Sequence, residues 1–426
     1  METIFAVSSG QPPAAVALLR ISGPRATRAA VALAGALPAP RRAALRRLRD
    51  ADGIMLDAAL VLHFPGPNSA TGEDVVELHL HGGRATVAAV ERALAAMHGL
   101  RRALPGEFTR RALEHGRIDL AQAQGLADLL EAETEAQRRA ALSSMEGELG
   151  RAVAGWLDRL AGIAARIEAM IDFSDEDDVT TADSAALDRA LATWRSDIAA
   201  VLARPTVERL HEGWRIVLAG AANAGKSSLF NMMVDREAAI VTPIAGTTRD
   251  VIEARVIRNG HVYTLVDTAG LAEHTDDPVE RIGIARARDA AAAADIVLWL
   301  DDAPPPDDLP SLAVHPRADL PERTAPPAGR LAISTHDRAS IDRLWQAIDR
   351  ALGAAMLSPG VALLRERQRA AVSAACDAID RDGFADDLLV RAEAIRYAMR
   401  QLATITGADA TEAMLDALFA RFCIGK

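Results

Sequence analysis

Residues Gly220 to Ser227 read GAANAGKS, a complete G-x-x-x-x-G-K-[ST], directly behind the apolar run WRIVLA. A run of that kind fits a strand buried on both faces, as in a parallel sheet. The glycines let backbone N–H groups close around phosphate oxygens, Lys226 reaches the outer phosphates, and Ser227 offers a hydroxyl to Mg2+. Such a loop needs a strand behind it and a helix in front of it, so an α/β layer has to form around it. Composition supports the reading. The chain of 426 residues holds 46 arginines, four asparagines and two lysines, Lys226 and Lys426. Under that bias arginine replaces lysine wherever a generic positive charge suffices, and a surviving lysine marks a position where the two do not interchange. Lys226 stands where a phosphate-binding loop requires a lysine.

Two further segments lie at fitting distances along the chain. TPIAGTTRD (Thr242 to Asp250) is a loop with threonine oxygens for Mg2+, and DTAG (Asp267 to Gly270) ends a strand with a carboxylate near the metal and a glycine for the γ-phosphate. Together the three segments describe a Ras-like GTPase core. The residue after DTAG is Leu271, which cannot polarise water, so the water must be oriented from elsewhere.

Elsewhere the chain is less specific. Its net charge of −11 gives no general basic footprint, and the cluster RRAALRRLRD (Arg41 to Asp50) reads as a solvated surface segment. Two cysteines, Cys376 and Cys423, make no disulfide framework. The opening METIFAVSSGQPP lacks the pattern of a signal peptide, and no apolar run reaches the ~20 residues of a membrane span. These features lead us to expect a soluble cytoplasmic protein. DAALVLHFPG and EDVVELHLHGG read as strands and RATVAAVERALAAM as a helix, giving an α+β layer over the first 117 residues. On EDVVELHLHGG, Glu77, His79 and His81 share one strand face; hydrogen-bonded structural histidines outweigh a metal site there. From Leu149 to Ile171 apolar residues follow three/four spacing, and helix is expected on to about Leu210. VIEARVIRNGHVYTLVD reads as a hairpin about Asn259-Gly260. From about Val361 the pattern is helical again, with DATE (Asp409 to Glu412) as an N-cap and capping box for the last helix.

LLRISG, FPGPNSATGED, LHLHGG, PGEFTRRA, IDLAQAQGLADL, NAGKSSL, IVTPIAGTTRD, DTAGL, VERIGI and the closing FCIGK together resemble the bacterial tRNA modification GTPase family MnmE, also called TrmE. The likeness spans nearly the whole chain. It implies a multidomain protein of α/β and α classes: an N-terminal α+β folate-binding and dimerisation domain (1–117), a split helical domain (118–210 and 357–426) and an inserted Ras-like P-loop GTPase domain (211–356). It also implies GTP contacts from Asn223, Ala224, Gly225, Lys226, Ser227, Ser228, Thr242, Thr247, Thr248, Asp267, Thr268, Ala269, Gly270 and Asp319. Ser227 and Thr248 resemble Mg2+ ligands; Asn223, Thr242, Ile244 and Thr247 resemble the ligands of a K+ ion that neutralises charge where other GTPases use an arginine finger. Glu280 resembles the glutamate that positions the hydrolytic water, the task Leu271 cannot perform. Arg20, Glu77, Arg117 and Lys426 resemble contacts to a one-carbon donor, 5-formyl- or methylene-tetrahydrofolate. The implied partners are a second copy in a homodimer, the flavoprotein MnmG in a heterotetramer, GTP and tRNA, without a membrane. The implied reaction places aminomethyl or carboxymethylaminomethyl groups on the wobble uridine of certain tRNAs.

The base side departs from the pattern. Guanine selection ordinarily uses N-K-x-D, whose aspartate accepts two hydrogen bonds from guanine. Here VHPRADL (Val314 to Leu320) keeps Asp319 but has Arg317 for the lysine and Pro316 for the asparagine, with neither a side-chain amide nor a backbone N–H. The preceding connection, APPPDDLP, is short for a parallel crossover. Weakened but guanine-selective binding is expected, with a folate-binding scaffold of decayed GTPase activity as the alternative and a K+-dependent ribosome-assembly switch as a third reading. In the tail, Met414, Leu415, Leu418, Phe419 and Phe422 form the apolar face of a final helix. Cys423 is a small hydrophobe by default; the resemblance makes it a candidate catalytic residue beside Lys226 and Glu280.

Overall fold

The computed structural model describes residues 2–172, 181–221, 223–235, 238–240, 252–267, 290–323, 325–352, 363–380, 387–407, 412–422 and 424–425. The chain divides into two compact units, one of residues 1–131, 142–191 and 374–426, the other of residues 132–141 and 192–373.

In the first unit, strands β1 (Thr3–Val7), β2 (Val16–Ser22), β3 (Ala44–Arg49), β4 (Met55–Phe64), β5 (Val75–His81) and β6 (Leu100–Arg102) form one sheet in the order β3-β4-β5-β2-β1-β6. Neighbours are antiparallel except β1 and β6. Alternation decides which face is which. Leu19, Ile21, Leu78 and Leu80 are buried in one core with Leu33, Val90 and Leu94 of the helices Ala26–Ala34 and Arg84–Ala95. Arg20, Glu77 and His79, out of phase with them, occupy the other face, as the alternation anticipates.

The long helix Glu148–Asp172 buries Leu149, Val153, Trp156, Leu160, Ile163 and Ile167, the three/four stripe read from the sequence. Helix does not continue unbroken to Leu210. It runs Thr181–Leu202, stops, and restarts as Val207–Glu212. Pro205 cannot supply a helical N–H, and the Thr206 hydroxyl caps the new helix by accepting from the Arg209 N–H at 3.3 Å. The last helix, Glu412–Ala420, buries Leu418 and Phe419 with Phe422 against Leu120, Ala123 and Ala127. Its proposed capping residues Asp409 to Thr411, and the acidic loop after Asp172, lie outside the described residues.

In the second unit β7 (Trp214–Ala219), β8 (Ala238–Ile240), β9 (Ile252–Arg258), β10 (His261–Asp267), β11 (Ile296–Trp299), β12 (Ser311–His315) and β13 (Leu331–Ala332) form a sheet ordered β13-β12-β11-β7-β10-β9-β8. The strands from β13 through β7 to β10 are parallel; β9 and β8 run antiparallel to their neighbours. Asn259 and Gly260 both take positive φ (50° and 80°), the geometry of the tight turn their dipeptide favours. The core joins Ile216, Leu218, Leu265 and Leu298 to Leu344, Trp345 and Ile348 of the helix Arg338–Ala351. Trp345 meets Tyr263 edge-on, with ring centroids 5.0 Å apart, and the Tyr263 hydroxyl donates to Asp349 at 2.7 Å. β11 and β12 are joined by residues 300–310 without a helix, as the short connection implied. Among the described residues no helix is long and apolar enough to cross a membrane.

Trp345 is fully buried. Trp345→Ala should destabilise the second unit by about 3–5 kcal/mol, read as a lower denaturant midpoint; an unchanged midpoint would contradict the packing described.

Candidate functional site

β7 lies at the centre of the second sheet, between β10 and β11, and the phosphate-loop sequence begins at its carboxyl end, where ligands sit in open α/β sheets. Gly220 leaves the strand at φ +139°, and a Cβ there would stand 2.4 Å from the Leu300 carbonyl oxygen. No other residue fits. Asn223 (φ 60°) and Gly225 (φ 94°) also take the left-handed region, which turns the chain back to start the helix Lys226–Asp235. Positive φ at alternate positions turns successive N–H groups toward one concavity, and the helix N-terminus adds its dipole. Lys226 is buried, its Nζ donating to the carbonyls of Gly220 and Ala221 at 2.8 Å each. The ammonium is therefore folded over the mouth of the loop rather than extended into solvent. Ser227 and Ser228 open the helix and are exposed. Buried Asp267, the last residue of β10, is in register with Leu218 of β7 and so ends at the same sheet edge.

The segment carrying Asp319 follows β12. Ile333 N–H donates to His315 O at 2.9 Å and Ala318 N–H to Ile333 O at 3.0 Å, which ties it to the segment after β13. Arg317 takes φ 58°, and its Nε lies 3.7 Å from where a Cβ on Gly225 would be, so its side chain reaches the phosphate loop. Asp319 is exposed. The neighbouring Ser334 hydroxyl, with smaller help from Asp319's own N–H, His336 and Arg317, holds the carboxyl below the ordinary range. A solvent-facing carboxylate is a ready acceptor for two N–H donors. Ser334, fifteen residues further along the chain, carries no sequence signal of this role.

A second cluster lies in the first unit. Arg20 and Glu77 are directly opposite in the β2–β5 register, and Arg20 Nε and Nη2 both donate to Glu77 Oε1, at 3.1 and 2.8 Å. His79 Nε2 lies 3.6 Å from Glu77 Oε2 without forming a hydrogen bond. Glu77 and Arg117 line a cavity of about 520 Å³ with Arg41, Phe64, Asn68, Ser69, Ala70 and Val75, the size of small-molecule sites. Three of the four residues assigned to the one-carbon donor thus meet in space. Arg41 and Phe64 were missed as site residues, although Phe64 opens FPGPNSATGED and Arg41 opens the basic cluster; Arg41 stands over the Phe64 ring at 5.7 Å. Polar contacts tie the neighbouring loop down. Glu73 accepts from Arg111 Nη1 at 2.8 Å and from the Ser22 hydroxyl at 3.0 Å, and His115 Nδ1 donates to Thr71 O at 2.7 Å.

The tail reaches the same unit. Ile424 pairs with Pro105, and the Ser8 hydroxyl donates to Gly425 O at 2.7 Å, at the end of β1. Thr242, Ile244, Thr247, Thr248, Thr268, Ala269, Gly270, Glu280, Cys423 and Lys426 lie outside the described residues. Among the described residues no group of three His, Cys, Asp or Glu is gathered as a metal cluster; the candidate metal donors here are amide and hydroxyl oxygens, Asn223 and Ser227, which suit Mg2+ and K+.

Comparison with known proteins bears on both clusters. The family model for the MnmE helical domain matches residues 120–423, and that for the GTP-binding protein TrmE N-terminus matches residues 3–117. A tRNA modification GTPase MnmE from Erythrobacter litoralis is 52% identical over 428 residues, covering 100% of each chain. One from Rhizorhabdus wittichii is 51% identical, covering 100% of this chain and 97% of its own. Among solved structures, Aquifex aeolicus Era bound to GDP.AlF4- aligns at 22% identity over 40% of this chain and 68% of its own, with a TM-score of 0.27.

Lys226→Ala should lower nucleotide-triphosphate hydrolysis at least about a hundredfold, the cost of removing a preorganised charge from a transition state. Steady-state rates with purified protein check this, and an unchanged rate would remove Lys226 from the site.

Proposed function

This chain belongs to the tRNA modification GTPase family MnmE, and from that premise we propose that it is a K+-dependent, guanine-selective GTPase working with a flavoprotein of the MnmG kind on the wobble uridine of certain tRNAs. The single observation that supports it best is the shared sheet edge: a phosphate loop closed by Lys226 and a base-reading carboxylate, Asp319, brought near it through Arg317 and Gly225.

The roles follow from the donors. Backbone N–H groups of the loop and Lys226 bind the phosphates, and Asp319 accepts from the guanine N1–H and N2–H. Ser227 with Thr248 would hold Mg2+, and Asn223 with Thr242, Ile244 and Thr247 would hold K+; when bound, these cations supply positive charge at the β- and γ-phosphates. Glu280 orients the attacking water, and Cys423 serves the modification chemistry. Residues 1–117 carry the folate-binding and dimerisation functions, 118–210 and 357–426 the helical domain, and 211–356 the nucleotide site. The donor set of the first-unit cavity fits a reduced folate. Glu77 Oε2 can accept from an aminopyrimidine, Phe64 offers an aromatic wall, and Arg41 and Arg117 can pair with carboxylates. Lys426 follows Gly425, which is fixed beside β1. The protein acts as a cytoplasmic homodimer in a heterotetramer with its flavoprotein partner. Against the decayed-scaffold reading stand the retained Lys226, Asn223, Asp267 and Glu280, although Pro316 replaces the asparagine.

The test is hydrolysis of GTP and of ATP by the purified chain in K+ and in Na+. GTP should be cleaved faster in K+ by roughly tenfold or more, the scale of a missing charge at the β/γ-phosphates, and ATP slowly in both. Equal rates with the two nucleotides would overturn guanine selectivity, and equal rates in the two salts would overturn the K+ assignment.

A further inference from the structure

Pro316 deprives the base-reading segment of an amide side chain and of a backbone donor, yet Asp319 is still supported. The segment leading to Asp319 is held instead by Arg323, in the short 3-10 turn Pro321–Arg323, which bonds the Pro316 carbonyl. Its guanidinium spans three groups. Nε donates to the Pro316 carbonyl at 3.0 Å, and Nη1 and Nη2 donate to the two carboxylate oxygens of Asp302 at 3.0 and 2.9 Å. Nη2 also lies 3.1 Å from His315 Nδ1. His315 is buried; its Nε2 is 2.9 Å from the Arg323 carbonyl, which can only accept, so Nε2 carries a proton, and its Nδ1 also lies 3.3 Å from Asp302 Oδ1. Both ends of Arg323 are thus tied to the strand end that precedes Asp319.

Asp302 belongs to the helix-free crossover, and it is fixed in turn. Arg330 donates to the Asp301 carbonyl, to the Asp302 carbonyl at 3.0 Å and to the Ala303 carbonyl at 2.7 Å; Trp299 Nε1 donates to the same Ala303 carbonyl at 2.9 Å. The shortened crossover, which read as erosion, supplies the carboxylate that anchors the guanidinium.

We propose that Arg323, anchored on Asp302 and gripping the Pro316 carbonyl, is a positioning residue for guanine selection in this chain, replacing the side-chain amide that Pro316 lacks. The inference rests on the reading of Asp319 as the base-binding carboxylate. The physical link is Arg317. Its φ of 58° is unfavourable for a non-glycine residue, and surrounding contacts must hold it. Ala318 N–H on the Ile333 carbonyl restrains one side of it and Arg323 on the Pro316 carbonyl the other. Without the guanidinium, the backbone at Arg317 can relax and carry Asp319 out of line with the base.

The experiment compares the full chain with Arg323→Gln, Arg323→Lys, Asp302→Asn and Asp319→Asn, measuring dissociation constants for GDP, xanthosine diphosphate and inorganic tripolyphosphate. Arg323→Gln and Asp302→Asn should weaken GDP about tenfold, the scale of losing a charge-assisted hydrogen bond, with tripolyphosphate affinity unchanged. Arg323→Lys, which keeps the charge but not the fork, should fall between. In steady state the loss should appear in KM for GTP, with kcat little altered. Unchanged GDP affinity in Arg323→Gln would overturn the proposal, as would equal weakening of GDP and tripolyphosphate, which would mark general damage to the domain. Asp319→Asn separates the two layers: it should weaken GDP and favour xanthosine diphosphate. If it does neither, Asp319 does not read the base and the proposal falls with that reading; if it does both while Arg323→Gln is silent, only the Arg323 proposal falls.

Discussion

The nucleotide edge of the second sheet depends on how closely β7 and β11 approach. At Gly220 the chain passes the Leu300 carbonyl with no room for a Cβ, 2.4 Å away. Any side chain there would push the strands apart or turn the loop elsewhere. Because the strand exits at that angle, Asn223 and Gly225 can complete the turn, the helix begins at Lys226, and the ammonium lies on the carbonyls of Gly220 and Ala221. Leu300 also opens the crossover that delivers Asp302. One backbone contact therefore governs both the shape of the phosphate loop and the start of the segment that anchors Arg323.

Much of this was legible in sequence because it rests on local chemistry. The phosphate loop, the Asn259-Gly260 hairpin, the three/four stripe of Leu149 to Ile167 and the two-faced strand of Glu77 and His79 each follow from spacing within a few residues. The misread stretch was also local: Pro205 divides what looked like one helix, and Thr206 was passed over as a cap. What stayed hidden was long-range. Arg323 and Asp302 sit in proline-rich connections with no periodicity, and their pairing across 21 residues of sequence has no local signature. Arg41 joins Phe64 at the first-unit cavity from another stretch of chain in the same way, and Ser334 matters only because of where Asp319 lies.

Glycine also governs the tail. A Cβ on Gly106 would meet the Phe419 carbonyl at 2.6 Å, and one on Gly425, at φ +99°, would meet the Val7 carbonyl at 2.2 Å. Backbone packs on backbone at both points, so the chain end is seated on the first sheet by shape as well as by Phe419 and Phe422. The two lysines left in an arginine-rich chain are Lys226, folded over the phosphate loop, and Lys426, next to the seated Gly425.

The most direct measurement is nucleoside analysis of tRNA from cells lacking this gene, complemented with the natural chain or with Lys226→Ala. The modified wobble uridine should be absent in the deletion, restored by the natural chain and not restored by Lys226→Ala. Full restoration by Lys226→Ala would contradict the claim that nucleotide hydrolysis at this loop drives the modification.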